Sequence, residues 1–421
     1  MFDKLKPKSE FSRNVLTLMT GTTIAQAIPI AISPILTRIY TPEDFGVFAL
    51  YIGIVSFIAI IVTARYEMAI VLPRSDEEAI NIVALSFLIM MVIVFLVTIA
   101  IFFFHKQILI LLNSQEIGNL LYLVPLSILL AGLNQIFNYW ANRKKYFKSM
   151  SSAQIGQSVG VGIGQSSFGF MATNGGLIFG NIIGRFIATY VLVKKFIIHD
   201  KDSIKHINKV EILKQMQAHK DFPLVNSFHA FSDILRMSGS VMLISAFFGT
   251  TILGFYALSF RVLQVPAGIL SSALGQVLYP KFTVLHNEKK SLYPYTKKIF
   301  LGLIVVALPI FGILYIVIPG LFAFVFGEEW RVAGEYSRIL IPYLFMNFLI
   351  SPISSIPIIL NKQKEIFFIS LIGNSMYILV FILFHKYQIK EVLLILSVTQ
   401  VVFYIYVVYW YYKIIRENRY E

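Results

Sequence analysis

Residues 79–104 read AINIVALSFLIMMVIVFLVTIAIFFF, a run without a single charge. A bilayer hydrocarbon core about 30 Å thick takes roughly 20 apolar residues per helix. This stretch is long enough to cross a membrane and too apolar for a surface facing water. Working outward from it, eleven further runs of the same kind can be read. In chain order the twelve are 14–37, 45–72, 79–104, 118–141, 151–171, 176–198, 223–247, 252–279, 297–319, 335–360, 365–384 and 390–413, numbered spans 1 to 12. Composition agrees: 57% of the 421 residues are hydrophobic, only 14% are charged, and the mean hydropathy is +0.74. A soluble domain carries about 25% charged residues to cover itself. The absence of cysteine excludes a disulfide framework, a thiolate metal site and a cysteine nucleophile.

The remaining charge is lopsided, with 36 Lys and Arg against 22 Asp and Glu, net +14. In a soluble chain that excess would suggest nucleic acid, but here position matters more than the total. Sorted by segment, 27 basic residues fall in one alternating set of connections and 6 in the other, leaving Arg185, Arg236 and Arg261 within spans. The positive-inside rule then places both termini in the cytoplasm and calls for no nucleic acid. Trp140 and Trp410 near inner ends and Trp330 in an outer connection suit the interfacial preference of indole rings. The basic N-terminus (Lys4, Lys6, Lys8, Arg13) precedes a run too long for a secretory signal, so it reads as a retained first span.

The longest polar stretch, 199–221, carries lysines at 201, 205, 209, 214 and 220 among Ile204, Ile207, Ile212, Leu213 and Met216. It reads as an amphipathic linker at the cytoplasmic membrane surface. On either side of it the chain repeats. Residues 46–50 (GVFAL) match 254–258 (GFYAL), 70–74 (IVLPR) match 277–281 (VLYPK), and 142–145 (NRKK) match 361–364 (NKQK), at offsets of 208, 207 and 219. Three matches in order point to a duplicated six-helix unit. The expected organisation is an all-α polytopic membrane protein with an N-terminal six-helix bundle (1–198), the linker (199–221) and a C-terminal bundle (222–421). An even number of spans per half makes the repeats parallel, a build in which transporters hold substrate between the halves.

Ionisable groups inside spans are costly and are candidates for function. His229, Asp233 and Arg236 in span 7 are spaced i, i+4, i+7 on one helix face, with Asp233 and Arg236 roughly 16–21 Å from the inner end. They read either as a self-neutralising pair with a polar neighbour or as a cavity stripe in which His229 or Asp233 carries a proton. Arg261 in span 8 and Arg185 in span 6 have no acid within one turn, so each needs a hydrated cavity or a partner on another helix. Arg65 and Glu67 form either an inner gate or part of a cavity. Aligned through the repeat, Arg65 lies roughly 12 Å inward of Pro73 along a helix.

Other patterns carry no chemistry. Gly156, Gly160 and Gly164, and likewise Gly176, Gly180 and Gly184, recur every four residues within spans, and no Lys-Ser/Thr follows as a phosphate loop requires. They read as faces for close helix packing. No HExxH or GxSxG motif and no nucleotide-binding domain is present, so no catalytic residue, metal site or cofactor is expected. Pro29 and Pro34, Pro266, and Pro352 and Pro357 lie within spans and predict kinks.

The stretches Tyr40–Leu50 (YTPEDFGVFAL), Arg65–Pro73 (RYEMAIVLP) with Asp76–Ala79, Lys220–Asn226 (KDFPLVN), Phe260–Pro266 (FRVLQVP) and Gly275–Pro280 (GQVLYP) resemble bacterial O-antigen and exopolysaccharide flippases. These form the polysaccharide-transport branch of the multidrug/oligosaccharidyl-lipid/polysaccharide exporter superfamily. The resemblance implies a V of two six-helix bundles around a cationic cavity that opens alternately to each side. It implies a bacterial inner-membrane location and, as substrate, an undecaprenyl-diphosphate-linked oligosaccharide turned from the inner to the outer leaflet for surface polysaccharide assembly. A polysaccharide polymerase and a chain-length regulator are the partners it suggests.

The expectation is therefore a flippase, not an enzyme, in which Arg261, Arg236, Arg65 and Arg185 compensate the diphosphate. Asp233, His229 and Glu67 serve coupling or gating, and Asn134, Asn138, Gln264 and Tyr256 contact sugar. A bidentate guanidinium suits phosphate oxygens. One rival is a cation-coupled multidrug exporter of the same superfamily, which needs acids where this interior is net basic. Another is a polymerase or glycosyltransferase, for which the longest outer connection offers only Glu328 and Glu329.

Overall fold

In a computed structural model the described residues are 10–417, with side chains described for all of these except 10–16, 225–230, 265–266, 269, 272 and 276. Every element among them is helical. The first compact unit runs from Met1 to Ala246 and the second from Phe247 to Glu421. In the first, α1 (Glu10–Ile39), α2 (Pro42–Ala59), α3 (Asp76–Leu111), α4 (Val124–Arg143), α5 (Phe147–Phe170) and α6 (Gly176–His199) are followed by the linker helix α7 (Lys209–Ala218), α8 (Ser227–Ile234) and α9 (Ser240–Phe248). The second holds α10 (Thr250–Asn287), α11 (Tyr293–Phe326), α12 (Arg331–Ile350), the short α13 (Ile356–Ile359), α14 (Gln363–Phe384) and α15 (Ile389–Glu417). Packing thus divides the chain after span 7, whereas the sequence repeat divides it at the linker. One reports which residues touch, the other which stretches of sequence are alike.

Among the described residues, ten helices are long and apolar enough to cross a membrane. The other two spans read from sequence correspond to α5 and α10, which are long (24 and 38 residues) but diluted by Ser, Gln and Gly in α5 and by Arg261, Lys281 and His286 in α10. The lipid-exposed character of the others is plain in α3 and α11, where Phe102, Phe103, Ile316 and Phe324 project freely.

Local chemistry explains the element boundaries. Thr41 caps α2: its hydroxyl accepts the Asp44 N–H while the Asp44 carboxylate accepts the Thr41 N–H, with Pro42 in the first turn. That reciprocal cap accounts for much of the Thr-Pro-Glu-Asp motif. At the other end of span 2 the continuous helix expected from sequence is absent. α2 stops at Ala59, Ala64 and Arg65 take left-handed φ of 48° and 64°, and a 3-10 turn covers Tyr66–Val71. The turn folds Glu67 back to accept a hydrogen bond from the Thr63 hydroxyl, a local closure that competes with the helix. The depth of Arg65 reckoned at a helical rise therefore does not hold.

Span 10 breaks where its prolines predict it, α12 giving way to a 3-10 turn (Ser351–Ile353) and then α13. Span 7 is interrupted by π-helical turns at Phe222–Asn226 and Leu235–Gly239. Span 3 bends at Phe104 (φ −110°, ψ 16°) and continues to Leu111, beyond its apolar run.

Without a hydrophobic force between lipid-covered helices, association rests on close contact and polar bonds. The glycine faces act in this way. A Cβ on Gly164 would sit 2.8 Å from Gly180 Cα, and one on Gly184 would sit 2.5 Å from the Gln157 carbonyl oxygen, so α5 and α6 meet backbone to backbone. Polar bonds join α5 to α1: Thr22 donates to Gln154 Oε1 (2.7 Å) and Ser158 to the Ala25 carbonyl (2.7 Å).

Candidate functional site

The glycine-mediated approach of α5 and α6 fixes which side chains look toward α2 and α4. Beside it the first unit holds a cavity of about 270 Å³ lined by the end of α2 (Ser56, Ala59, Ile60), one face of α4 (Leu130, Ala131, Asn134, Gln135), Gln157 of α5 and Arg185 of α6. Among the described residues no acidic one lines it. The Arg185 Nε donates to Asn181 Oδ1 one turn earlier (2.9 Å), which fixes the guanidinium without neutralising it. Gln135 Nε2 donates to the Ala59 carbonyl (3.1 Å), tying α4 to the point where α2 ends. Behind the wall, the buried Tyr51 and Ser127 hydroxyls share a 2.6 Å hydrogen bond. One fixed cation and three carboxamides can bind an anionic group and hydroxyls, and offer no counter-charge to an organic cation.

Two residues expected from the sequence, Arg185 and Asn134, meet in this cavity. Asn138 lies one turn further along α4, half-buried and outside the lining. Ser56, Gln135 and Gln157 were not anticipated. Gln157 does carry a signal: it stands between Gly156 and Gly160 on a packing face, where a long polar side chain has no structural need to be.

The other candidates are dispersed. Arg65 is half-buried, and its Nε is buried without a hydrogen-bond partner. Glu67 is 2% exposed and held by Thr63 rather than by an ion pair with Arg65. Arg236 is half-buried within the π turn 235–239 and Asp233 is exposed, so the wider π turn modifies the plain α-helical face inferred from spacing. The side chain of His229 lies outside the described residues.

In the second unit Arg261 on α10 is partly buried and makes no hydrogen bond or ion pair with any described residue. Gln264, nearly one turn on, is half-buried. Tyr256, one of the expected sugar contacts, lies inside the second unit. It is 4% exposed, and its hydroxyl pairs with Tyr377 of α14 at 2.6 Å, which commits it to helix packing.

A second polar group clasps one end of the first unit. Arg143 at the end of α4 donates through Nε to Asp76 (2.9 Å) and through Nη1 to the Ile70 and Pro73 carbonyls (3.2 and 2.7 Å). Lys144 bonds Asp76 and lies 3.5 Å from Asp200, whose other oxygen accepts from the Trp140 indole (3.1 Å). Burial pulls the Lys144 ammonium down from its ordinary pKa, but its bonds to Asp76 and Asp200 outweigh that and raise it. This clasp uses the Leu-Pro-Arg-Ser-Asp and Asn-Arg-Lys-Lys stretches of the first unit to close the break after α2 against α4.

Comparison with known proteins follows the same lines. The profile of a family described as polysaccharide biosynthesis protein matches residues 35–335. The succinoglycan biosynthesis transport protein ExoT of Rhizobium meliloti (strain 1021) is 24% identical over 307 residues, covering 71% of this chain and 59% of ExoT. The match therefore spans less than two thirds of that relative. Among solved structures, an inward-facing multidrug resistance MATE family transporter of the MOP superfamily superposes with a TM-score of 0.65 at 14% identity, over 96% of this chain and 95% of that one. A MOP superfamily transporter from Pyrococcus furiosus Vc1 (DSM3638), reported for the reverse polarity of its binding pocket, gives 0.56 at 13% identity over 97% and 96%. At such identities the likeness shows the fold, which is that of MATE transporters.

Proposed function

We propose, since this chain belongs to the polysaccharide biosynthesis protein family, that it is the flippase of a polysaccharide pathway, turning an undecaprenyl-diphosphate-linked oligosaccharide from the inner to the outer leaflet of a bacterial inner membrane. The chain is a multi-pass membrane protein with a transporter fold. The observation that carries the finer reading is the acid-free cavity of the first unit, in which Arg185 stands among Asn134, Gln135 and Gln157. A diphosphate drawn through hydrocarbon needs a cation that is not already neutralised, and a sugar needs paired donors and acceptors. Arg185 and Arg261 meet the first need without an ion-pair partner, and Arg65 presents an unpaired buried Nε. In this mechanism the arginines compensate the diphosphate, Arg236 among them, while the carboxamides hold the glycan as the site alternates between faces.

A cation-coupled multidrug exporter would need carboxylates at the cavity, and none lines it. As for the outer acids an enzyme would use, Glu328 is taken up by Arg331 at 2.5 Å.

The test is the purified protein in liposomes carrying a fluorescent undecaprenyl-diphosphate glycan in one leaflet. Protein-dependent exchange between leaflets is the expected result. Exchange no faster than in empty liposomes, together with gradient-driven uptake of an organic cation, would overturn the proposal.

A further inference from the structure

The segment between α6 and α8 has a role that transport through the bundles does not require. A 3-10 turn covers Lys201–His206, and Asn208 then caps α7 by accepting the Val210 N–H (2.9 Å). Three long-range bonds pin the segment to the first unit. The Asn81 side chain donates to the His206 carbonyl (3.0 Å) and accepts the Asn208 N–H (2.8 Å), and Tyr66 donates to the Met216 carbonyl (3.0 Å). Asn81 stands in the second turn of α3 and Tyr66 in the turn that follows α2, so the linker is strapped across one end of the unit rather than hanging loose.

Its faces are strongly unequal. Gln215 is buried toward the unit. On the opposite side of α7, at helical spacing, stand Val210, Leu213 and Met216, and the same three-residue interval runs back through Ile207 and Ile204. All five are exposed, Val210 at 73%. Such a stripe marks an interaction surface. It is also strongly basic: residues 194–220 hold seven lysines against three acids. Lys205 and Lys214 are paired with Asp202 and Glu211, while Lys201, Lys209 and Lys220 make no ion pair with a described residue.

Continuity identifies the occupant. The exposed face of α6, with Phe186, Tyr190, Ile197 and Ile198, belongs to a helix apolar enough to cross a membrane, and it leads along the chain into Ile204 and Ile207. Lys194 lies over the Tyr190 ring (5.6 Å), the posture of a lysine whose stem stays with lipid while its ammonium reaches water. An apolar stripe that continues from a lipid-facing helix, edged by unpaired lysines, has the chemistry of an anionic bilayer surface.

We propose that the linker 201–218 is an interfacial anchor for anionic phospholipid, its isoleucine–valine–leucine–methionine stripe seated at the acyl boundary and Lys201, Lys209 and Lys220 on headgroup phosphates. This does not depend on the cargo. The chain has no cysteine, so Leu213→Cys places a single environment-sensitive label on the stripe of the full-length protein. The labelled protein is reconstituted in phosphatidylcholine liposomes with and without phosphatidylglycerol, each doped with brominated lipid.

The expected result is a blue-shifted label quenched by brominated lipid, more strongly with phosphatidylglycerol. The triple variant Lys201→Gln, Lys209→Gln, Lys220→Gln should lose that lipid preference, its membrane-engaged fraction falling by roughly tenfold or more, with unchanged thermal unfolding in detergent. A label equally water-exposed in both liposomes would overturn the proposal. So would a label shielded only on adding cytosolic protein, which would make the stripe a protein-docking surface. A label already shielded in lipid-free detergent would do the same, by placing the stripe against the chain itself.

Discussion

The two compact units are closed by different mixtures of glycine contact and aromatic packing. In the first, α5 and α6 touch through glycines, and a Cβ at Gly160, Gly164, Gly180 or Gly184 would meet its nearest neighbouring atom at 2.3–2.8 Å. In the second, Gly334 brings α12 against α11 (a Cβ there would sit 2.6 Å from Pro319 Cα), but Gly302 and Gly312 face open space. Rings fill much of the interior: Tyr343 stacks on Tyr404 and packs against Tyr377, while Phe311 meets Phe345 and Phe348. The same contrast separates their arginines. Arg185 is held by Asn181 inside a carboxamide-lined cavity, whereas Arg261 has no described partner at all. Backbone contact between two helices leaves side-chain space beside them, and polar groups occupy it; aromatic packing leaves little such space. The two units thus offer different chemistry.

The sharpest way to break this contrast is to put a side chain where the backbones meet. Gly184→Val drives a branched side chain toward the Gln157 carbonyl and the Val161 amide, atoms that cannot move without parting the helices. We predict loss of folded protein from the membrane, read by detergent-extracted yield and size-exclusion profile. Gly312→Val in the second unit meets nothing and should yield as the parent does.

Next in size is Arg261→Ala. If its free guanidinium meets the diphosphate, losing a charge-assisted bond worth about 1.5–3 kcal/mol slows flipping roughly 10- to 100-fold in the liposome assay. Arg261→Lys should recover part of this. Arg185→Gln should cost less, a few-fold to tenfold, because a carboxamide can rejoin the amides already there. Equal losses at the two arginines would erase the distinction drawn between the units.

How much of this was legible beforehand varies with the physical scale of the cause. The spans follow from hydrophobic runs, and the α5–α6 contact follows from a four-residue glycine interval. The interruption of span 10 follows from Pro352. The break after Ala59 leaves no such mark, since residues 54–72 contain neither Gly nor Pro. It is set by Glu67 turning back to Thr63 and by Arg143 reaching the Ile70 and Pro73 carbonyls, 73 and 70 residues away in sequence. The π turns of span 7 are equally silent, and one of them shifts Arg236 off the simple helical face. Arg185 was found as an unpaired charge. Its company of Gln135 and Gln157 is a product of packing that no local pattern encodes, and the same holds for the bond that joins Tyr256 to Tyr377 on another helix.

Smaller effects test the closing devices themselves. Tyr256→Phe removes one hydrogen bond and leaves the Tyr377 hydroxyl buried without it, which should cost about 1–2 kcal/mol in thermal or denaturant unfolding in detergent. Asp76→Asn should matter least. The carboxylate is 44% exposed at the edge of the clasp, and exposed ion pairs contribute only about 0–1 kcal/mol. Arg143 would keep its bonds to the Ile70 and Pro73 carbonyls, and Lys144 would keep Asp200. The break after α2 should therefore stay closed, with a shift in unfolding near the limit of measurement. A loss as large as that of Tyr256→Phe would mean that Asp76, rather than the two carbonyls, orients Arg143. The first unit would then owe its inner end to charge and its middle to glycine.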